Sequence, residues 1–118
     1  MQRIIAAFFN SLAGIRFGIT REAALREELA LLALGLVLGP FLTLDPWRLA
    51  ALWGVLLVLL AVEFLNTGLE KLADKVTRAD DDLVRIAKDC GSAAVFMMLV
   101  LSGGVWGLAL WERVFGAG

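Results

Sequence analysis

Apolar residues in this chain gather into three long blocks separated by charged breaks. The first runs from Leu29 to Leu44 and is extended backward by Ala23–Leu25 on the preceding turn. The second, Leu49–Leu69, and the third, Gly91–Trp111, come close to the ~20 residues a helix needs to cross a bilayer. The first is shorter and holds Pro40 near its end. Beside two clear neighbours it reads as a span as well. In the break Asp45-Pro46-Trp47-Arg48, Asp45 suits a cap, Pro46 the first helical position and Trp47 the membrane interface. That break makes the first two blocks an antiparallel hairpin. Between the second and third blocks, Lys71–Asp89 is polar and charged, and Asp80, Asp81 and Asp82 mark its turn. Asp82 is expected to cap a helix that begins Leu83-Val84-Arg85.

Residues ahead of the first block follow a different rhythm. Ile4, Ile5, Phe8, Phe9, Leu12, Ile15 and Ile19 recur at helical spacing, with Arg3, Asn10 and Arg16 between them. Such a pattern suits an amphipathic helix lying on the membrane surface, the alternative being a face packed on the protein's own helices. The apolar stretch Ile4–Phe9 is interrupted by Asn10 and Ser11 with no small-residue cleavage site after it, unlike a secretory signal. The expected architecture is an all-α membrane protein in a single domain. A surface helix over about residues 1–20 precedes three transmembrane helices, roughly 23–44, 47–76 and 84–113.

Charge gives this plan a direction. Arg3, Arg16, Arg21 and Arg26 precede the first block, and Lys71, Lys75, Arg78, Arg85 and Lys88 lie between the second and third. Only Arg48 and Arg113 fall on the opposite side. The asymmetry puts the N-terminus and the 71–88 region in the cytoplasm and the C-terminus outside. The pairs Gly14/Gly18, Gly35/Gly39 and Gly103/Gly107 have the spacing of close helix contacts, and Trp106 and Trp111 suit an interfacial belt.

Composition supports the membrane reading and removes several chemistries. The 118 residues are 60% hydrophobic, with a mean hydropathy of +0.82. A water-soluble domain this small has no core large enough to hide so much apolar surface. The net charge of −1 argues against a basic nucleic-acid face. There is no histidine, the commonest general base and metal ligand, and the single Cys90 forms no intrachain disulfide. Phosphate-cradling and protein-kinase motifs are also missing.

Against this background Glu63 stands out, in the middle of the second block. A charge at mid-bilayer costs about 2.5–3.5 kcal/mol on insertion scales, so such residues are rare and usually functional. At 100° per residue, Glu63, Asn66, Glu70 and Asp74 fall within an arc of about 80°. Glu22, Glu27 and Glu28 enter the first span from the same side, and the third span brings Lys88, Asp89 and Ser92. Carboxylates and a lysine at one membrane depth suit phosphate chemistry. Hard oxygen ligands hold Mg²⁺ beside phosphates, and Lys offsets phosphate charge. A deep carboxylate in low dielectric suits a general base. The bland alternative makes Glu63 a neutral acid that pins helix packing, with Asn66 as interhelical glue.

At these residues the sequence resembles the bacterial integral-membrane diacylglycerol kinase family. The segment Val62-Glu63-Phe64-Leu65-Asn66-Thr67-Gly68-Leu69-Glu70 is similar to its E-x-L-N-[ST]-x-x-E core. Ala87-Lys88-Asp89-Cys90-Gly91-Ser92-Ala93-Ala94-Val95 is similar to its A-K-D-x-G-S-A-A-V core. Glu22-Ala23-Ala24 with Arg26 and Glu28 resembles its E-A-A-x-R-x-E segment. The resemblance covers nearly the whole chain. It implies ATP-dependent phosphorylation of diacylglycerol to phosphatidic acid, with Glu63 as catalytic base and Asn66 supporting the active centre. It further implies Glu22 and Glu70 as ligands of the Mg²⁺ that accompanies ATP. Arg3, Asn10, Lys88 and Asp89 stand at nucleotide-contact positions, with Asp74 in support. Ser92 and Glu28 lie on the lipid-substrate side. A homotrimer with active sites shared between protomers is also implied, in a bacterial inner membrane with the C-terminus periplasmic.

Two departures stand out: Asn10 replaces a frequent aromatic, and Thr77–Asp82 lacks the relatives' acidic–histidine segment. Gly91-Ser92 points to diacylglycerol, leaving undecaprenol as the alternative lipid. A third reading is a non-catalytic membrane subunit or proton path, which has no need of Glu22, Glu70 and Lys88 together.

Overall fold

The computed structural model describes residues 1–116, and four helices account for nearly all of them. They are α1 (Gln2–Arg21), α2 (Ala23–Leu42), α3 (Pro46–Val76) and α4 (Asp82–Phe115). No strand occurs among the described residues. The C-terminal end, expected on the periplasmic side, falls outside them.

Local chemistry sets the helix boundaries. The Asp45 carboxylate accepts from the Arg48 N–H at 2.9 Å, and Pro46 opens α3, where its missing N–H costs nothing. At α4 the cap is Asp81, whose side chain accepts from the Val84 N–H at 3.0 Å. Asp82, expected as the cap, is instead the first helical residue and pairs with Arg85 at 3.2 Å. Of three consecutive aspartates, any can cap, and position decides between them. Between α1 and α2 the chain turns on one extended residue, Glu22, at φ −123° and ψ 115°. The Arg26 guanidinium closes the end of α1 by donating to the Ile19 carbonyl at 3.2 Å.

α3 is the central element, packing on α2 and α4 with Leu52, Leu56, Leu59 and Leu60 buried between them. Close approach comes from glycine on α2. A Cβ at Gly35 would lie 2.5 Å from Leu56 Cδ1 and 3.1 Å from Trp106 Cζ2, and one at Gly39 2.8 Å from Trp53 Nε1. Two tryptophans stitch this junction. Trp53 Nε1 donates to the Gly35 carbonyl at 3.1 Å, and Trp106 Nε1 to the Leu52 carbonyl at 2.9 Å. Trp106, expected in the interfacial belt, is thus an interhelical tie. The pair Gly35/Gly39 marks a helix contact, whereas Gly103 and Gly107 have open space beside them. At the far end, Arg48 pairs with Glu112 at 3.1 Å and Arg113 donates to the Phe41 carbonyl at 3.2 Å.

Helices α3 and α4 are long and apolar enough to cross a membrane. At ~1.5 Å per residue the 31-residue α3 extends about 46 Å, beyond a ~30 Å hydrocarbon core. α2 carries Arg26, Glu27 and Glu28 in its first turns, so its apolar stretch is shorter. On α1 the apolar side chains Ile4, Phe8 and Phe9 are exposed, and only Gly18 is buried, against Leu25 and Phe64. The face of α1 therefore does not pack on the protein's own helices within the chain.

Candidate functional site

The polar stripe of α3 runs from the interior of the bundle towards the end formed with α4 and the α1–α2 junction. Glu63 and Asn66 are buried, at 9% and 8% exposure, while Glu70 is exposed. Glu70 lies ~10 Å from Glu63 along the helix, at about 1.5 Å per residue. Asn66 Nδ2 donates to Glu70 Oε1 at 3.2 Å, linking neighbouring turns of the stripe. Glu63 lies within electrostatic reach of Glu28, Glu22 and Glu70, so carboxylates from α2, the junction and α3 face one region.

Two lysines pair with carboxylates at this end of the bundle. Lys88 of α4 reaches Asp74 of α3 at 2.7 Å, and Lys71 of α3 reaches Glu22 at 2.8 Å. Glu22 makes no side-chain cap despite its position between two helices, so its carboxylate is directed to α3 instead. Beyond these pairs, Lys71, Asp74, Lys75 and Arg78 line a cavity of about 420 Å³. A second, of about 260 Å³, lies between the α3–α4 turn and Lys88 with Asp89.

The packing of α4 on this stripe depends on one residue without a side chain. A Cβ at Gly91 would fall on Asn66 Oδ1 and lie 3.2 Å from Leu69 Cδ2. The α4 backbone therefore walls the Asn66 amide. Among the described residues, two buried oxygens, Asn66 Oδ1 and Glu28 Oε2, have no hydrogen-bond partner. Buried acceptors are nearly always satisfied, so orphans inside an acidic site point to a missing ligand or solvent.

The structure thus brings together Glu22, Glu28, Glu63, Asn66, Glu70, Asp74 and Lys88. It does not bring the remaining expected residues into the cluster. Arg3 and Asn10 stand exposed on α1 without side-chain partners among the described residues, and Asp89 and Ser92 are exposed on α4. Lys71 and Gly91 are the residues that sequence reasoning missed. Lys71 reads there only as a charge of the polar segment Lys71–Asp89, and Gly91 only as part of a motif. The signal for Lys71 is its place beside Glu70; its pairing with the junction depends on the fold.

Among the described residues no group of three or more His, Cys, Asp or Glu forms a metal cage. Glu22 and Glu70, both within electrostatic reach of Glu63, are hard-oxygen donors of the kind Mg²⁺ takes one or two of, completing its shell with phosphate and water.

These features define a class: an all-helical protein with two membrane-length helices and a carboxylate–lysine site at one end of the bundle. Comparison with known proteins narrows it. The family model described as prokaryotic diacylglycerol kinase matches residues 9–110. The diacylglycerol kinase of Escherichia coli K12 is 32% identical over 111 residues, covering 94% of this chain and 91% of the relative. That of Pseudomonas aeruginosa is 35% identical over 113 residues, covering 93% and 89%. The Haemophilus influenzae diacylglycerol kinase is 33% identical over 97 residues, 82% of each chain. The chain belongs to the prokaryotic diacylglycerol kinase family, an enzyme family.

Proposed function

We propose that this protein transfers the γ-phosphoryl group of ATP to the primary hydroxyl of diacylglycerol, giving phosphatidic acid at the cytoplasmic membrane interface. The observation that carries the reading is the buried Glu63–Asn66 pair, continuous with Glu70 and faced by Glu22, in a chain of this family. Glu63 takes the proton of the lipid hydroxyl as its oxygen bonds to the γ-phosphorus. The bond from that phosphorus to the β,γ-bridging oxygen breaks, and ADP leaves. Asn66 holds Glu70 in place, and Lys88, anchored by Asp74, offsets phosphate charge. Glu22 and Glu70 are the residues that would hold Mg²⁺, which supplies neutralisation of the polyphosphate when bound. Positioning and electrostatics dominate such a transfer.

In this reading Arg3, Asn10 and Asp89 contact the nucleotide, and Ser92 and Glu28 the lipid. The single domain has α1 on the inner surface of a bacterial inner membrane and α2, α3 and α4 spanning it, with the C-terminus periplasmic. The protomers form a homotrimer that shares its active sites, which accounts for Arg3 and Asn10 standing apart within one chain.

The test is ATP consumption by purified protein in micelles, with diacylglycerol, undecaprenol or no lipid. Diacylglycerol-dependent turnover is expected, and turnover with undecaprenol alone would replace the substrate assignment. Glu63→Gln should lower turnover by at least about 100-fold while circular dichroism stays unchanged. Near-normal activity in that variant would remove Glu63 as the base.

A further inference from the structure

Lys71 plays no part in the reaction just proposed, yet it makes one of the best-placed ion pairs in the site. Its Nζ lies 2.8 Å from Glu22 Oε1, and 5.9 Å from the centroid of the Phe17 ring on α1. Glu22 is the extended residue between α1 and α2, and its side chain caps neither helix. The ammonium is therefore what holds the carboxylate beside α3. The Lys71 side chain is 59% exposed and that of Glu22 25%, so the pair is open to exchange with ions arriving from water.

We propose that Lys71 is a built-in counter-ion for Glu22 that a divalent cation must displace to bind, so that this lysine sets the cation affinity of the site. The inference rests on the metal role assigned above to Glu22. An ammonium and a divalent cation on one carboxylate repel each other, and each weakens the other's hold by the same factor. The displaced ammonium has a second resting place over Phe17, where the ring face attracts a cation. With Lys71 in position, Glu22 keeps its location without metal and its own charge is offset. An exposed pair of this kind is weak, so the exchange changes cation affinity by about twofold to fivefold.

The test is a titration of full-length protein in micelles with Mn²⁺ in place of Mg²⁺, at saturating non-hydrolysable ATP analogue. Electron paramagnetic resonance reads the free ion. Lys71→Met should tighten Mn²⁺ binding by about twofold to fivefold, and Lys71→Arg, which keeps the charge, should stay near wild type. In a Glu22→Gln background, Lys71→Met should have no effect. Unchanged or weaker binding in Lys71→Met with Glu22 present overturns the exchange, as does equal tightening in both backgrounds. If Glu22→Gln alone leaves Mn²⁺ affinity unchanged, the metal role of Glu22 fails first and this inference with it.

Discussion

Substituting Gly91 by alanine tests the packing of α4 against the acidic stripe. A Cβ at this position falls on Asn66 Oδ1 and lies 3.2 Å from both Asn66 Cγ and Leu69 Cδ2. Two effects on stability oppose each other. Alanine in a helix interior gains up to about 1 kcal/mol over glycine. Forcing a methyl group into a packed contact costs about 1–3 kcal/mol. The Asn66 amide is the group that can yield, by turning away and weakening its 3.2 Å bond to Glu70. Net destabilisation should therefore be small, up to about 2 kcal/mol. Activity should fall much further, because a displacement of ~1 Å in a positioned group costs about 100-fold. The assay pairs turnover at saturating ATP, Mg²⁺ and lipid with thermal unfolding in the same detergent. A double-mutant cycle isolates the contact: Asn66→Ala should cost less stability with Ala at 91 than with Gly, by at least about 0.5 kcal/mol. Wild-type turnover in Gly91→Ala, or a coupling below that size, would refute the argument.

Two further predictions concern other contacts. Trp106→Phe removes the donor to the Leu52 carbonyl while keeping an aromatic body, and should lower stability by about 1 kcal/mol in thermal unfolding, with turnover per folded molecule unchanged. Asp74→Asn releases Lys88 from its 2.7 Å partner; the KM for ATP should rise severalfold, while unfolding moves by less than about 1 kcal/mol because both side chains are about two-fifths exposed.

The helical plan was legible because each of its signals is local. Asp45-Pro46 marks the start of α3 by cap and fixed φ, and the stripe Glu63–Asn66–Glu70–Asp74 follows from helical period alone. The α1–α2 junction shows itself only as a change of pattern, since neither Gly nor Pro breaks the chain at Glu22. What the sequence concealed are contacts between elements. An indole near the end of an apolar run fits a membrane belt as well as a facing carbonyl, and only the approach of α4 to α3 decides for Trp106. Glycine spacing is equally silent about which pair is used. Gly35 and Gly39 lie under Leu56, Trp106 and Trp53, whereas a Cβ at Gly103 or Gly107, of identical spacing, would meet no described neighbour within 4 Å.

The same distinction explains the internal order of the site. Of its charged groups, those nearest water have found partners: Glu22 with Lys71, Asp74 with Lys88, Glu70 with Asn66. Two of its buried oxygens, Glu28 Oε2 and Asn66 Oδ1, have no hydrogen-bond partner among the described residues. A chain selected only for packing would leave its unpaired acceptors where water can reach them, because a buried orphan costs about 1–3 kcal/mol. Here the orphans flank Glu63 on facing helices, and glycine at 91 keeps the space beside one of them from being filled by a side chain. On the proposed function these acceptors lie beside the carboxylate that takes the hydroxyl proton.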